Sequence, residues 1–84
     1  MNIKRNQKKY LVTGGSGFLG STLVKRLLKA GHSVRVFDNN SRGNIRKLED
    51  VINDIEFIEG DIRELGQVEK ACKGIDSVCH LAFV

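Results

Sequence analysis

Thr13-Gly14-Gly15-Ser16-Gly17-Phe18-Leu19-Gly20 is the stretch on which the reading of this chain turns. The residues before it, Lys9-Tyr10-Leu11-Val12, are short, apolar and β-prone. The residues after it carry apolar side chains at helical spacing as far as Ala30. The glycines therefore fall where a strand becomes a helix, and each position asks for glycine for its own reason. Gly14 lets the chain turn sharply off the strand. Gly17 leaves the backbone open to close approach by a pyrophosphate. Gly20 sits in the first helical turn, where only hydrogen fits against the strand. Unpaired N–H groups and the positive end of the helix dipole then favour an anion.

Working outward, the 84 residues make one small domain or a piece of a larger one, and an apolar content of 40% is enough for a core. A domain of this size buries only about 60–65% of its unfolded surface, so its stability margin is thin. The net charge of +4 is local: Lys4, Arg5, Lys8 and Lys9 precede Tyr10, and beyond it basic and acidic residues balance. Nucleic acid is therefore not implied, and residues 1–8 read as a disordered basic N-terminus. No apolar run is long enough to cross a membrane, and no signal-peptide core is present. Cys72 and Cys79 fit no metal spacing and read as small buried hydrophobes in a reducing, cytoplasmic setting.

The remaining pattern alternates. A strand is expected over 9–13 and a helix over 18–30, with Leu19, Leu23 and Leu27 in one row, widened by Val24 and Leu28. Gly31 is placed for a left-handed cap. A strand follows over 33–38, where Arg35 among apolar residues suggests one less-covered face. A weaker helix over 44–52 presents Ile45, Leu48 and Ile52, and a turn at Asn53-Asp54 leads to a strand over 55–59. Gly60 ends that strand, and a helix over 62–73 presents Leu65, Val68 and Cys72 before Gly74 ends it. The last strand, 75–82, is almost wholly apolar, as a strand covered on both faces is. The expected fold is α/β, a partial doubly wound parallel sheet of the Rossmann type with strand order 3-2-1-4. Its ligand crevice lies between the carboxyl ends of the first and fourth strands.

Two carboxylates stand at strand ends. Asp38 follows Gly17 by 21 residues, where a carboxylate accepts ribose hydroxyls and repels a 2′-phosphate. That favours NAD over NADP, although Arg42 could reach such a phosphate. Asp61 opens Asp61-Ile62-Arg63-Glu64, a capping-box pattern, yet also lies on the rim where an adenine would sit. His80 reads as a packed core residue, Tyr10 as a packing residue, and His32 is given no role.

Together these residues resemble the extended short-chain dehydrogenase/reductases, in the NAD-dependent epimerase/dehydratase branch. The glycine stretch resembles the family's Thr-Gly-x-x-Gly-x-x-Gly, and Asp38-Asn39 its ribose-binding pair. Gly60-Asp61-Ile62-Arg63 resembles its adenine motif, and His80-Leu81-Ala82 the motif ending its fourth strand. The resemblance implies that the Phe18 and Leu19 backbone meets the pyrophosphate, with Gly14 and Gly17 shaping the loop and Gly20 completing the cofactor-binding motif. It implies that Asp38 and Asn39 hold the ribose, Asp61 and Ile62 the adenine, and that Leu81 and Ala82 line the cofactor channel. Phe83 departs from the pattern, since members commonly carry a second alanine there.

The family's catalytic Tyr-x-x-x-Lys pair does not occur: the one tyrosine, Tyr10, has Gly14 four residues on. The resemblance therefore implies that residues 9–84 are the N-terminal part of the NAD-binding domain of a longer nucleotide-sugar epimerase or dehydratase. That enzyme transiently transfers a hydride to NAD. Residues of a C-terminal part would bind the nucleotide sugar, and a homodimer of the whole enzyme is compatible with it. The 84 residues alone are expected to be inactive. The alternatives are a non-catalytic dinucleotide-binding module and an inactive truncated product.

Overall fold

The computed structural model describes residues 7–14, 17–39 and 44–81. Gly15, Ser16, Arg42 with its loop, Ala82, Phe83 and most of the basic N-terminus lie outside the described residues. Four strands, β1 (Lys9–Thr13), β2 (Ser33–Asp38), β3 (Glu56–Glu59) and β4 (Ser77–His80), form one parallel sheet in the order β3-β2-β1-β4. This is the order expected from the sequence. The connections are α1 (Phe18–Lys29), a 3-10 helix over Asn44–Asp54, and α2 (Leu65–Ala71). Gln7 and Lys8 lie beside the start of β2: Gln7 Nε2 donates to Ser33 Oγ at 3.1 Å, Lys8 N–H to His32 Nδ1 at 3.1 Å, and Ser33 N–H to Lys8 O at 3.0 Å.

Strand alternation divides the core into two layers. Val12, Val34 and Val36 point to one face, where they meet Val24 of α1 and Leu48 of the 3-10 helix. Leu11 and Phe37 point to the other, beneath Ala71 of α2, with Ile58, Ile62, Val68 and Ile75 around them. Gly14 (φ 76°), Gly31 (φ 92°) and Gly74 (φ 75°) end β1, α1 and α2 in left-handed conformations that cost a side chain little only when it is hydrogen.

The structure corrects several expectations. Leu19 is 71% exposed and is no part of the core row, because the first turn of α1 rises past the carboxyl edge of the sheet. The fully buried positions of α1 are Gly20, Ser21 and Val24, and Leu23, Leu27 and Leu28 pack against the core beside them as expected. Arg35 lies on a covered face: it is 8% exposed, and its guanidinium donates to Ala71 O and Lys73 O, both at 2.7 Å. The connection over Asn44–Asp54 is a 3-10 helix, and it runs on through the expected turn at Asn53-Asp54. Three residues per turn align Leu48 with Val51, both against the core, and leave Ile52 off that line. Helix α2 starts at Leu65, with Glu64 rather than Asp61 at its cap. Its inner side is Val68 and Ala71, so Leu65 and Cys72 are exposed. Cys79 does pack against the α1 layer, and both thiols are free.

Strand β4 is covered on one face only. Val78 is 52% exposed and His80 is exposed, because α2 sits over β1 and β2 and does not reach the outer strand.

Candidate functional site

The carboxyl ends of all four strands open on one edge of the sheet, and the residues with chemistry gather there. At the end of β1, Gly14 N–H donates to Phe37 O at 2.9 Å, which fixes the turn to β2. Gly17 N–H donates to Gly14 O at 3.1 Å, and the first helical bond runs from Ser21 N–H to Gly17 O at 2.8 Å. The N–H groups of Phe18, Leu19 and Gly20 precede that bond and have no intrahelical acceptor. Gly17 is the N-cap and supplies no side-chain acceptor, and the first turn carries no acidic residue. Among the described residues nothing caps the helix start, which favours an outside anion there.

Inside the protein, Gly17 is not demanded by sterics. Its φ is −75°, and a Cβ there would meet Gly14 O at 3.4 Å, an ordinary contact. Gly60 is the opposite case. A Cβ at Gly60 would come within 2.7 Å of the Phe37 ring and of Gln67 Oε1.

At the junction of β1 and β4, the hydroxyl of Thr13 is 2.7 Å from His80 Nδ1. Leu81 N–H is shared between Thr13 O (3.0 Å) and Thr13 Oγ1 (3.1 Å). Thr13 is buried and so fixes Leu81 at the crevice. The expectation that His80 is a packed core residue fails. It is an exposed residue on an outer strand, with the Thr13 hydroxyl as a side-chain partner. Sequence reasoning placed Thr13 in the glycine motif but gave its hydroxyl no role.

Asp38 ends β2 half-buried, with the exposed Asn39 beside it, and its carbonyl accepts Gly60 N–H at 3.0 Å. That bond brings the end of β3 alongside. There Asp61 does not cap α2. Its Oδ1 accepts from Arg63 N–H at 2.9 Å and from Arg63 Nε at 3.0 Å, and its Oδ2 from Nη2 at 2.7 Å. Asp61 N–H donates to Gln67 Oε1 at 2.8 Å, and Asp61 O accepts from Glu64 N–H at 2.9 Å. The Arg63 guanidinium, followed by the Arg63 backbone N–H, lowers the Asp61 carboxyl to about 2. It stays charged and can only accept. Ile62 turns the other way and packs against the Leu11–Phe37 layer.

The structure therefore brings Gly14, Gly17, Phe18, Leu19, Gly20, Asp38, Asn39, Asp61, Ile62 and Leu81 to one edge of the sheet, while Ala82 lies outside the described residues. Among the described residues no group of His, Cys, Asp and Glu could hold a metal ion, and no helix is long and apolar enough to cross a membrane.

The sequence model of the NAD dependent epimerase/dehydratase family matches residues 10–84. The chain belongs to that family. UDP-glucose 4-epimerase of Neisseria meningitidis serogroup B is 47% identical over 81 residues, covering 89% of this chain and 24% of that protein. The structure of the Bordetella bronchiseptica enzyme WbmG in complex with NAD superposes with a TM-score of 0.84 and 31% identity, over 100% of this chain and 27% of that one. The UDP-Glc/GlcNAc 4-epimerase of Campylobacter jejuni gives 0.83 and 30%, over 92% and 25%. The chain spans about a fifth to a quarter of the length of the curated relatives it matches.

Proposed function

We propose that this chain is the part of a nucleotide-sugar epimerase or dehydratase that binds the adenosine and diphosphate half of NAD. The observation that carries the reading is the uncapped start of α1 at the switch point between β1 and β4, with two carboxylates at the ends of β2 and β3. The N–H groups of Phe18, Leu19 and Gly20 take the diphosphate, and Gly14 and Gly17 shape the loop that admits it. Asp38, with Asn39, accepts the adenosine ribose hydroxyls. Asp61, beside Ile62, accepts the adenine amino group. Leu81 and Ala82 line the route toward the nicotinamide. Bound NAD supplies a hydride acceptor for transient oxidation of a sugar hydroxyl.

Family membership and the NAD bound to WbmG support this reading, as does the UDP-glucose bound to the Thermotoga maritima UDP-glucose 4-epimerase. On it, the nucleotide sugar is bound by residues beyond this stretch, and the 84 residues alone turn over no UDP-glucose.

Calorimetric titration with NAD and NADP tests the proposal. The chain is expected to prefer NAD by about tenfold, and Asp38→Ala to erase most of that preference. Equal heats for both dinucleotides, before and after the substitution, would remove Asp38 from the site.

A further inference from the structure

His80 has no part in the site as proposed, yet its ring decides which way a buried hydroxyl points. Thr13 and His80 stand opposite each other in the β1–β4 register and share one face of the sheet. Thr13 is 6% exposed, so its hydroxyl depends on protein partners. A hydroxyl offers one proton and two lone pairs. One lone pair takes Leu81 N–H at 3.1 Å. The proton needs an acceptor, and among the described residues its partner is His80 Nδ1, 2.7 Å away. The opposite direction fails. An Nδ1–H donating to Thr13 fills the second lone pair and strands the buried hydroxyl proton. The bond therefore runs from Thr13 to His80, and this bonding assigns the imidazole proton to Nε2.

We propose that His80 is a positioning residue for the cofactor channel: by accepting the Thr13 hydroxyl proton, it turns an oxygen lone pair toward Leu81 N–H and fixes the chain where it leaves β4. This rests on the reading of Leu81 as part of the route toward the nicotinamide. Thr13 O holds the same N–H at 3.0 Å through the strand ladder. The hydroxyl is a second acceptor only while its own proton is drawn elsewhere. Without His80 that proton seeks another acceptor, and the rotation takes the lone pair away from Leu81. The diphosphate seat lies at the start of α1 and does not depend on this bond.

The test compares the 84-residue chain with His80→Phe, His80→Asn, Thr13→Val and the double variant Thr13→Val/His80→Phe in dilute samples. Phenylalanine keeps a ring and removes the acceptor. Asparagine returns a carbonyl oxygen to about the place of Nδ1. Leu81 amide exchange, read by NMR without ligand, is expected to speed up about fivefold in His80→Phe and to return to the native rate in His80→Asn. NAD binding is expected to weaken about threefold in His80→Phe, with ADP binding unchanged. Thr13→Val should reproduce both effects, and His80→Phe should add nothing in its background. Nitrogen NMR of the native imidazole should show the proton on Nε2. A proton on Nδ1, native Leu81 exchange in His80→Phe, no rescue by His80→Asn, or a full His80→Phe effect on top of Thr13→Val each overturns the proposal. So does equal weakening of NAD and ADP, which is what a merely structural role gives. Thermal melts accompany each variant, and Thr13→Val carries the test if His80→Phe is unfolded. NAD affinity unmoved by His80→Phe, with native binding of NAD and ADP intact, overturns this inference alone. Native binding of neither overturns the reading of the site, and this inference with it.

Discussion

Gly17 and Gly60 stand at the same edge of the sheet, and different physics requires each of them. Gly60 is held by the fold: an added methyl lands on the ring of Phe37, which is 1% exposed and has nowhere to go. Gly60→Ala is therefore expected to cost about 1–3 kcal/mol of stability, read as a lower thermal midpoint. Gly17 is not held that way, since a methyl there meets only Gly14 O at an ordinary distance. Gly17→Ala is expected to cost at most about 1 kcal/mol as a poorer N-cap. It is also expected to weaken NAD binding tenfold or more in the same calorimetric titration, because the methyl occupies the diphosphate approach. Asp61 adds a pH dependence. Arg63 holds its folded-state carboxyl at about 2, below the ordinary 3.8. A depressed carboxyl stabilises the fold fully above the ordinary value, and that contribution is lost as pH falls toward 2. Urea midpoints of the native chain and Asp61→Asn should accordingly differ at pH 6 and converge steadily between pH 4 and pH 2.

Among the elements, β2 and α2 show how far the sequence reaches. The bounds of β1 and β2 were legible to the residue, because Gly14 and Gly31 punctuate them and the apolar alternation between is strong. Arg35 was misread as a sign of exposure because its partners are carbonyls at the end of α2, about 36 residues away, and no local pattern reports them. The start of α2 was misplaced for a nearer cause. Asp61 had two ways to use its oxygens, and the arginine two residues on outcompeted the helix N–H groups. Of the site, the glycine loop and the strand-end carboxylates were legible, whereas the Thr13–His80 and Asp61–Gln67 bonds needed tertiary proximity. Arg35 now carries a prediction at this scale. Arg35→Ala leaves two carbonyls without their charged donor and opens space beside Ala71, at a cost of about 2–4 kcal/mol. Chemical denaturation should show that loss. Hydrogen exchange should place it first in α2, ahead of β1.

Across the molecule, the two outer strands are defended unequally. On the β3 side, Glu56 and Glu59 are exposed carboxylates, and Glu56 is kept charged by Lys9 first and by Arg35. Charge of that kind discourages edge-to-edge pairing. On the β4 side, the strand Ser77–His80 has no Asp, Glu, Lys or Arg, and its Val78 is half-exposed on a face that α2 does not cover. Among the described residues nothing lies outside β4. An apolar, unguarded edge with an open face is a pairing site. The 84-residue chain is therefore expected to self-associate through β4. Sedimentation should show a weight-average mass that rises with concentration, and the thermal midpoint should rise with it. Val78→Lys places a charge on the open face without touching the packed one, so it should return the chain to monomer while leaving the low-concentration midpoint within about 0.5 kcal/mol of the native chain. A sharp two-state transition of a monomer at every concentration, unchanged by Val78→Lys, would mean that the shortness of β4 is protection enough without charge.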